Sequence, residues 1–329
     1  MDPLSDLLRM VRLDAAFFYS VEAAEPWSVE TLPARELVPR ILPSSDHLIA
    51  YHIVTEGRAY GGLAGEEQVA LVPGDVIAFP HGDAHHMSSD RGLRLPDDRQ
   101  LVPPSPYPFI AHLGEEGPRA TSFFCGFMGC DRRPFNPLLA SLPRVLHMPG
   151  MSNPWLSGFT RQLAEESRLG RTGAESVMTR LAEVIFIQMM RVYLDTLPAG
   201  QTGWLAGLRD EVVGRALALL HDDPARSWSV AELARETSSS RSALSERFTH
   251  LVGEPPMRYL AQWRMQVAAN LLAQTSTKVS AIGHRVGYAS EAAFSRAFKK
   301  STGLAPAAWR EMRRAGPAGS DDGARTQDA

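Results

Sequence analysis

The sequence predicts an α+β protein of two domains, and three observations predict it. Over residues 15–90, β-branched and aromatic runs alternate with Pro, Gly, Asp and Ser clusters, the pattern of short strands in a sandwich or barrel. From Glu175 the apolar residues change to helical spacing. Near the C-terminus, two all-helical segments repeat one another. A chain of 329 residues is long enough to give each half its own core.

In order along the chain, AAFFYS (15–20), HLIAYHIV (47–54) and DVIAFP (75–80) read as strands. Residues 95–118, rich in Pro and acidic groups, read as a surface loop, and TSFFCGFMG (121–129) as a further strand. A stripe through Trp155, Phe159 and Leu163 precedes a longer helix. On that helix Val177, Leu181, Val184, Ile185, Gln188, Met189 and Val192 share a face. The two helices either cover the sheet or form a subunit contact through Leu181, Ile185 and Met189, so a homodimer is expected. In DTLPAGQTG (195–203), Pro and Gly stop the helix and mark a linker. The tail at 316–329 is small and polar and predicts disorder. The expected division is 1–150, 151–203, 204–315 and 316–329.

Composition narrows the function classes. No apolar run approaches the roughly 18 residues of a membrane span, and the opening MDPLSDLLRMVRLD lacks the apolar centre of a signal peptide. Two cysteines, Cys125 and Cys130, are too few for a disulfide scaffold and suit a reducing cytoplasm. Residues 205–315 carry 16 lysines and arginines against 10 aspartates and glutamates; the rest of the chain carries 18 against 27. That asymmetry points to a polyanion partner for the C-terminal third.

The repeat sharpens this expectation. SVAELARE (229–236) matches KVSAIGHR (278–285). Leu244 then pairs with Phe294, Phe248 with Phe298, Gly253 with Gly303, Pro256 with Pro306 and Tyr259 with Trp309. Each unit reads helix, short turn, helix. Ser229 and Glu232 form a capping box in the first, and Gly287 supplies a cheap left-handed turn in the second. The second helices bury Leu244, Phe248, Phe294 and Phe298, and present polar and cationic side chains on the opposite side. Such a helix fits the major groove, with N-terminal side chains at base edges and cations a turn later at phosphates. An ordinary helical bundle, or an RNA- or protein-binding module, would show no preference for duplex DNA.

At these residues the sequence resembles the AraC/XylS family of bacterial transcription regulators. Gly287, Tyr288, Ser290, Phe294, Arg296, Phe298, Lys299, Gly303, Pro306 and Arg310 carry the resemblance. It implies two helix–turn–helix units joined by a long helix near 257–275, with double-stranded DNA and RNA polymerase as partners. It also implies DNA-facing positions at Ser242, Ala243, Ser245, Glu246, Arg247, Glu291, Ala292, Ser295, Arg296, Lys299 and Lys300.

GDVIAFPHGDAHHM (74–87) resembles the second motif of cupin barrels, and YHIVTEG (51–57) stands where the first would be. That resemblance implies a cupin-like β-barrel that senses a small-molecule effector, near His52, Phe79 and His85. A cupin enzyme is the rival reading. Metal-dependent cupins use a His-x-His pair in the first motif, and here Val54 follows His52 at that spacing. A zinc site at His81, His85, Cys125 and Cys130 is a further expectation, because thiolates and imidazoles suit that ion. The alternatives for these residues are a redox-responsive cysteine pair and buried core side chains.

Overall fold

The computed structural model describes residues 2–10, 14–43, 45–95, 110–130, 134–150, 154–169, 171–198 and 200–315. Most of the expected 95–118 loop and all of the 316–329 tail lie outside the described residues. A helix α1 (Pro3–Met10) opens the chain. There follow β1 (Asp14–Ala23), β2 (Ser28–Thr31), α2 (Ala34–Ile41), β3 (His47–Glu56), β4 (Ala59–Leu63) and β5 (Val69–Leu71). Then come β6 (Val76–Phe79), β7 (His85–Ser88), β8 (Ile110–Leu113), β9 (Thr121–Cys130), α3 (Pro137–Ser141) and β10 (Leu146–Met148).

The strands form two sheets. One has six strands in the order β10-β6-β3-β9-β1-β8, the other four in the order β2-β7-β4-β5. All ten residues of β9 are buried, which explains why its sequence is apolar without alternation: the large sheet is covered on both faces. Side chains alternate across it. Tyr19, Val54, Phe79, Phe123, Cys125 and Phe127 point to the small sheet. Phe18, Ile49, Ile53, Phe124, Met128 and Cys130 point to the helices behind.

Those helices are α4 (Pro154–Leu169) and α5 (Ala174–Thr196), which pack on one another and on β1. Here the structure corrects the subunit-contact reading. Ile185 and Met189 are buried, Leu181 is partly buried, and all three belong to the core of this chain's own sheet. The apolar outer face of the six-stranded sheet needs a cover, and the next helices in the chain supply it.

The C-terminal region is all helical: α6 (Trp204–Arg209), α7 (Glu211–Asp222), α8 (Val230–Glu236), α9 (Arg241–Val252), α10 (Pro256–Gln274), α11 (Val279–Arg285), α12 (Glu291–Thr302) and α13 (Pro306–Ala315). The segment expected as a linker is tied down at its end. Gly203 donates its amide to Leu251 at 2.7 Å, and Trp204 donates its amide to the Ser141 hydroxyl at 2.9 Å. The two halves also meet elsewhere. Buried Gln266 on α10 accepts from the Phe135 amide at 3.1 Å and donates to the Met10 carbonyl at 3.0 Å. Arg313 on α13 pairs with Asp46 at 3.1 Å, and α1, which the sequence reading did not identify as a helix, packs against α7 and α10. Among the described residues no helix is long and apolar enough to cross a membrane.

Candidate nucleic-acid interface and buried sheet core

The two helical repeats fold alike. Ser229 and Glu232 make the capping box at α8. Ser240 and Ser290 begin α9 and α12, each hydroxyl accepting from the third-residue amide at 3.2 Å. This satisfies amides that a helix start otherwise leaves bare. Leu244, Phe248, Phe294 and Phe298 are buried, which fixes the face each helix turns outward. On α9 that face carries Ser242, Ala243 and Glu246, exposed, with Ser245 half-buried. On α12 it carries Glu291, Ala292, Arg296, Lys299 and Lys300, exposed, with Ser295 half-buried.

One residue expected to face DNA already has a partner within the chain. Arg247 is exposed, but its guanidinium is held by Asp210, at 2.7 Å from Nε and 2.6 Å from a terminal nitrogen. Asp210 also caps α7, accepting from the Val212 and Val213 amides. Arg247 therefore fastens α9 to α7. Arg310, a signature residue, has a similar internal role: it donates to the Leu272 and Thr277 carbonyls and closes the C-terminal end of α10.

In the sheet region, His52, Phe79 and His85 do come together, but they fill the space between them. The His85 ring stacks on Phe79 at 3.8 Å and 11°, and all three residues are 1% exposed or less. The four expected metal ligands do not converge, and that expectation is also corrected. Cys125 and Cys130 are five residues apart on one strand, so they face opposite sides of the sheet and enter different cores. His81 bonds the Leu142 carbonyl at 2.9 Å, away from either thiol. Among the described residues no three His, Cys, Asp or Glu side chains are grouped to hold a metal ion.

What the sequence reading missed is a buried chain of hydrogen bonds. His85 Nδ1 lies 3.0 Å from the Asp83 carbonyl, His85 Nε2 lies 2.7 Å from His52 Nε2, and His52 Nδ1 lies 3.0 Å from Cys125 Sγ. A carbonyl only accepts, so His85 carries its proton on Nδ1 and leaves Nε2 bare. His52 must then donate from Nε2 and accept from the Cys125 thiol at Nδ1. Tyr19 bonds the same sulfur. Burial pushes His85 down to about 4 and lowers His52 as well, and it raises the Cys125 thiol well above its usual range. The chain is neutral, which suits a locked core and gives no reactive thiolate.

Two tandem helix–turn–helix units on a rigid connecting helix, behind a two-sheet region, define a DNA-binding transcription regulator with a cupin domain. The comparisons agree. A family model described as Cupin matches residues 2–195, and one described as Helix-turn-helix domain matches residues 233–312. A putative AraC-like transcription regulator of Streptomyces antibioticus is 30% identical over 322 residues, covering 94% of this chain and 99% of the relative. The HTH-type transcriptional regulator AlkR of Acinetobacter baylyi is 28% identical, covering 95% and 100%. The solved DNA-binding domain of AdpA, in complex with a target DNA, is 29% identical over 33% of this chain and 99% of that one, with a TM-score of 0.31. The chain belongs to the AraC family of transcription regulators.

Proposed function

We propose that this regulator reads duplex DNA with α9 and α12, that its cupin region senses a small molecule, and that it catalyses no reaction. The reading rests chiefly on one observation: α12 carries Arg296, Lys299 and Lys300 exposed on the side opposite buried Phe294 and Phe298. An arginine near the start of a groove-bound helix can clasp guanine O6 and N7, and Glu246 on α9 can accept from cytosine N4. The lysines, a turn later, suit phosphates. The relatives reported above are named as transcription regulators, which supports the reading that the chain catalyses no reaction.

An effector acts only through a difference in affinity between two arrangements of the protein, about 1–3 kcal/mol for a typical response. The contacts at Gln266, Arg313 and Trp204 are the joints through which such a difference would pass. Homodimerisation belongs to the proposal too, through the face of the α4–α5 pair where Leu169 and Val177 stay exposed. RNA polymerase is the further partner of a regulator in the cytoplasm.

Footprinting on duplexes selected from a random pool tests the DNA reading. Arg296→Ala should lose discrimination at one or two base pairs, about 1–3 kcal/mol. An unchanged sequence preference in that variant would sink the assignment.

A further inference from the structure

The long helix α10 runs through both repeats, and its buried face changes core partway along. Tyr259, Leu260 and Trp263 belong to the core shared with the first unit and the sheet, while Met265, Ala268 and Leu272 belong to the small core of the second. Arg264 stands at the junction, half-buried. Its Nε donates to the Pro224 carbonyl at 2.7 Å, and a terminal nitrogen donates to the Arg226 carbonyl at 2.9 Å.

The loop it grips is itself firmly built. Asp223 accepts from the Arg226 amide at 3.1 Å through its carboxylate, and from the Trp228 indole at 3.0 Å through its carbonyl. The Arg226 guanidinium lies over the Trp228 ring at 4.0 Å. One residue further on, Ser229 opens α8 with its capping box. On the other side of Arg264 is the turn of the second unit. A Cβ on Gly287 would lie 2.9 Å from the terminal nitrogen that holds Arg226, and 2.6 Å from the Ala225 carbonyl oxygen. Only a residue without a side chain lets the turn and the loop come this close. Tyr288, next in that turn, meets the Phe294 ring of α12 edge to face at 5.7 Å. An unbroken series of contacts therefore leads from α8, through residues 223–228 and Arg264, to α12.

We propose that Arg264 is a positioning residue for DNA reading: its guanidinium fixes the second helix–turn–helix unit against the first, and so sets the spacing at which α9 and α12 enter the groove. The proposal rests on the reading that both helices meet duplex DNA. Spacing matters because the groove turns as it advances. One added base pair moves the next groove segment by about 3.4 Å and rotates it by roughly 35°. A helix alone holds two units at one distance but is free to curve. The planar fork of a guanidinium, bonded to two carbonyls of a built loop, removes that freedom, and a lysine has the charge without the fork.

Two measurements on the full chain test this. In the first, spin labels are attached through Arg235→Cys on α8 and His284→Cys on α11, both exposed positions; Cys125 and Cys130 are buried. Without DNA, the distance distribution should be narrow in the otherwise native chain and broad when Arg264→Met is added, which keeps an apolar stem and no donors. In the second, binding is compared between the duplex selected from a random pool and the same duplex with one base pair inserted between the segments that α9 and α12 protect. The native chain should lose at least about tenfold on insertion, the cost of a misplaced base contact, and Arg264→Met much less. If Arg264→Met fails to fold, Arg264→Lys carries both measurements with the same expectations. A residue that only stabilised the fold would lower the melting temperature and weaken both duplexes alike. An unchanged distance distribution overturns the proposal, and so does an insertion penalty as large in the variant as in the native chain. A broadened distribution in a chain without duplex preference supports the clasp and overturns the DNA reading instead.

Discussion

The two helix–turn–helix units share a plan and differ in their surroundings. The first, α8–α9, packs into a core that runs without interruption through α6, α7 and α5 to the outer face of the sheet. The second, α11–α12, closes over a small core of its own, built on Ile282, Phe294, Phe298, Trp309 and the far end of α10. Where α8 starts with a capping box, α11 starts at Lys278 with no side-chain cap. Arg247 on α9 is held by Asp210, while Arg296, Lys299 and Lys300 on α12 carry no ion pair among the described residues. The turns differ as well. Gly287 has φ +84°, and a Cβ there would lie 2.6 Å from the Ala225 carbonyl oxygen; Ser238, its counterpart, holds φ 52°. A duplicated unit has diverged into one built into the body of the protein and one that closes alone with its cations free.

The largest effect should come from the shared core. Ile185→Glu places a carboxylate among Phe18, Phe124 and Met178 with nothing to pair it, which costs several kcal/mol. The sheet region and the first unit should lose their structure together, while α11–α12 keeps its own. Hydrogen exchange resolved by segment measures this. A folded variant that has merely become monomeric would restore the subunit-contact reading.

Next comes a matched pair. Phe248→Ala and Phe298→Ala each remove a fully buried ring, at about 3–5 kcal/mol. If the units differ as described, Phe298→Ala opens α11–α12 alone and leaves the main thermal transition in place. Phe248→Ala lowers that main transition. Equal behaviour of the two in calorimetry would break the comparison.

The pH dependence should divide the molecule along the same line. His221 on α7 lies against Trp263 at 3.9 Å, bonds the Tyr259 hydroxyl at 2.7 Å and faces Asp6 at 4.0 Å. Burial outweighs the pull of Asp2 and lowers it to about 3; His85 is lowered to about 4. Both stay neutral when folded and take a proton near 6.5 when unfolded. Their contribution is complete above 6.5 and is lost as pH falls toward 4 for His85 and 3 for His221. Each loses about 1.4 kcal/mol per pH unit within that window. Neither His85 nor His221 belongs to the second unit, so acid should loosen the body before it loosens α11–α12. Segment-resolved exchange at pH 7 and pH 5 checks the order.

The repeat was legible in the sequence because its signals are local: cap, turn glycine and aromatic fall at fixed offsets. The strands β1, β3, β6 and β9 were legible for the same reason. What escaped depends on distant pairing. The register that sets His52 opposite Cys125 joins strands 73 residues apart, and nothing near either residue announces it. Strand alternation alone would have separated Cys125 from Cys130, had it been applied to their spacing of five. The stripe on α5 showed that a face is buried, but an apolar stripe is the same whether its cover is a sheet or a second copy.

The smallest effect separates α9 from α12 by their cations. Lys299 is exposed without an ion pair among the described residues, so a phosphate contact there releases counterions, and Lys299→Ala should lower the salt slope of duplex binding by about 1. Arg247 already has Asp210 as its partner. To reach a phosphate it would have to leave a contact of 2.6 Å, so Arg247→Ala should leave the slope unchanged. It should instead cost about 1 kcal/mol of stability or less, the range of a surface ion pair, because the guanidinium stays half-exposed. Titrations of both variants across salt concentrations, beside their thermal melts, give the two readouts. A slope that falls equally in both would mean that α9 meets the backbone as α12 does. The asymmetry between the units would then lie in their cores alone.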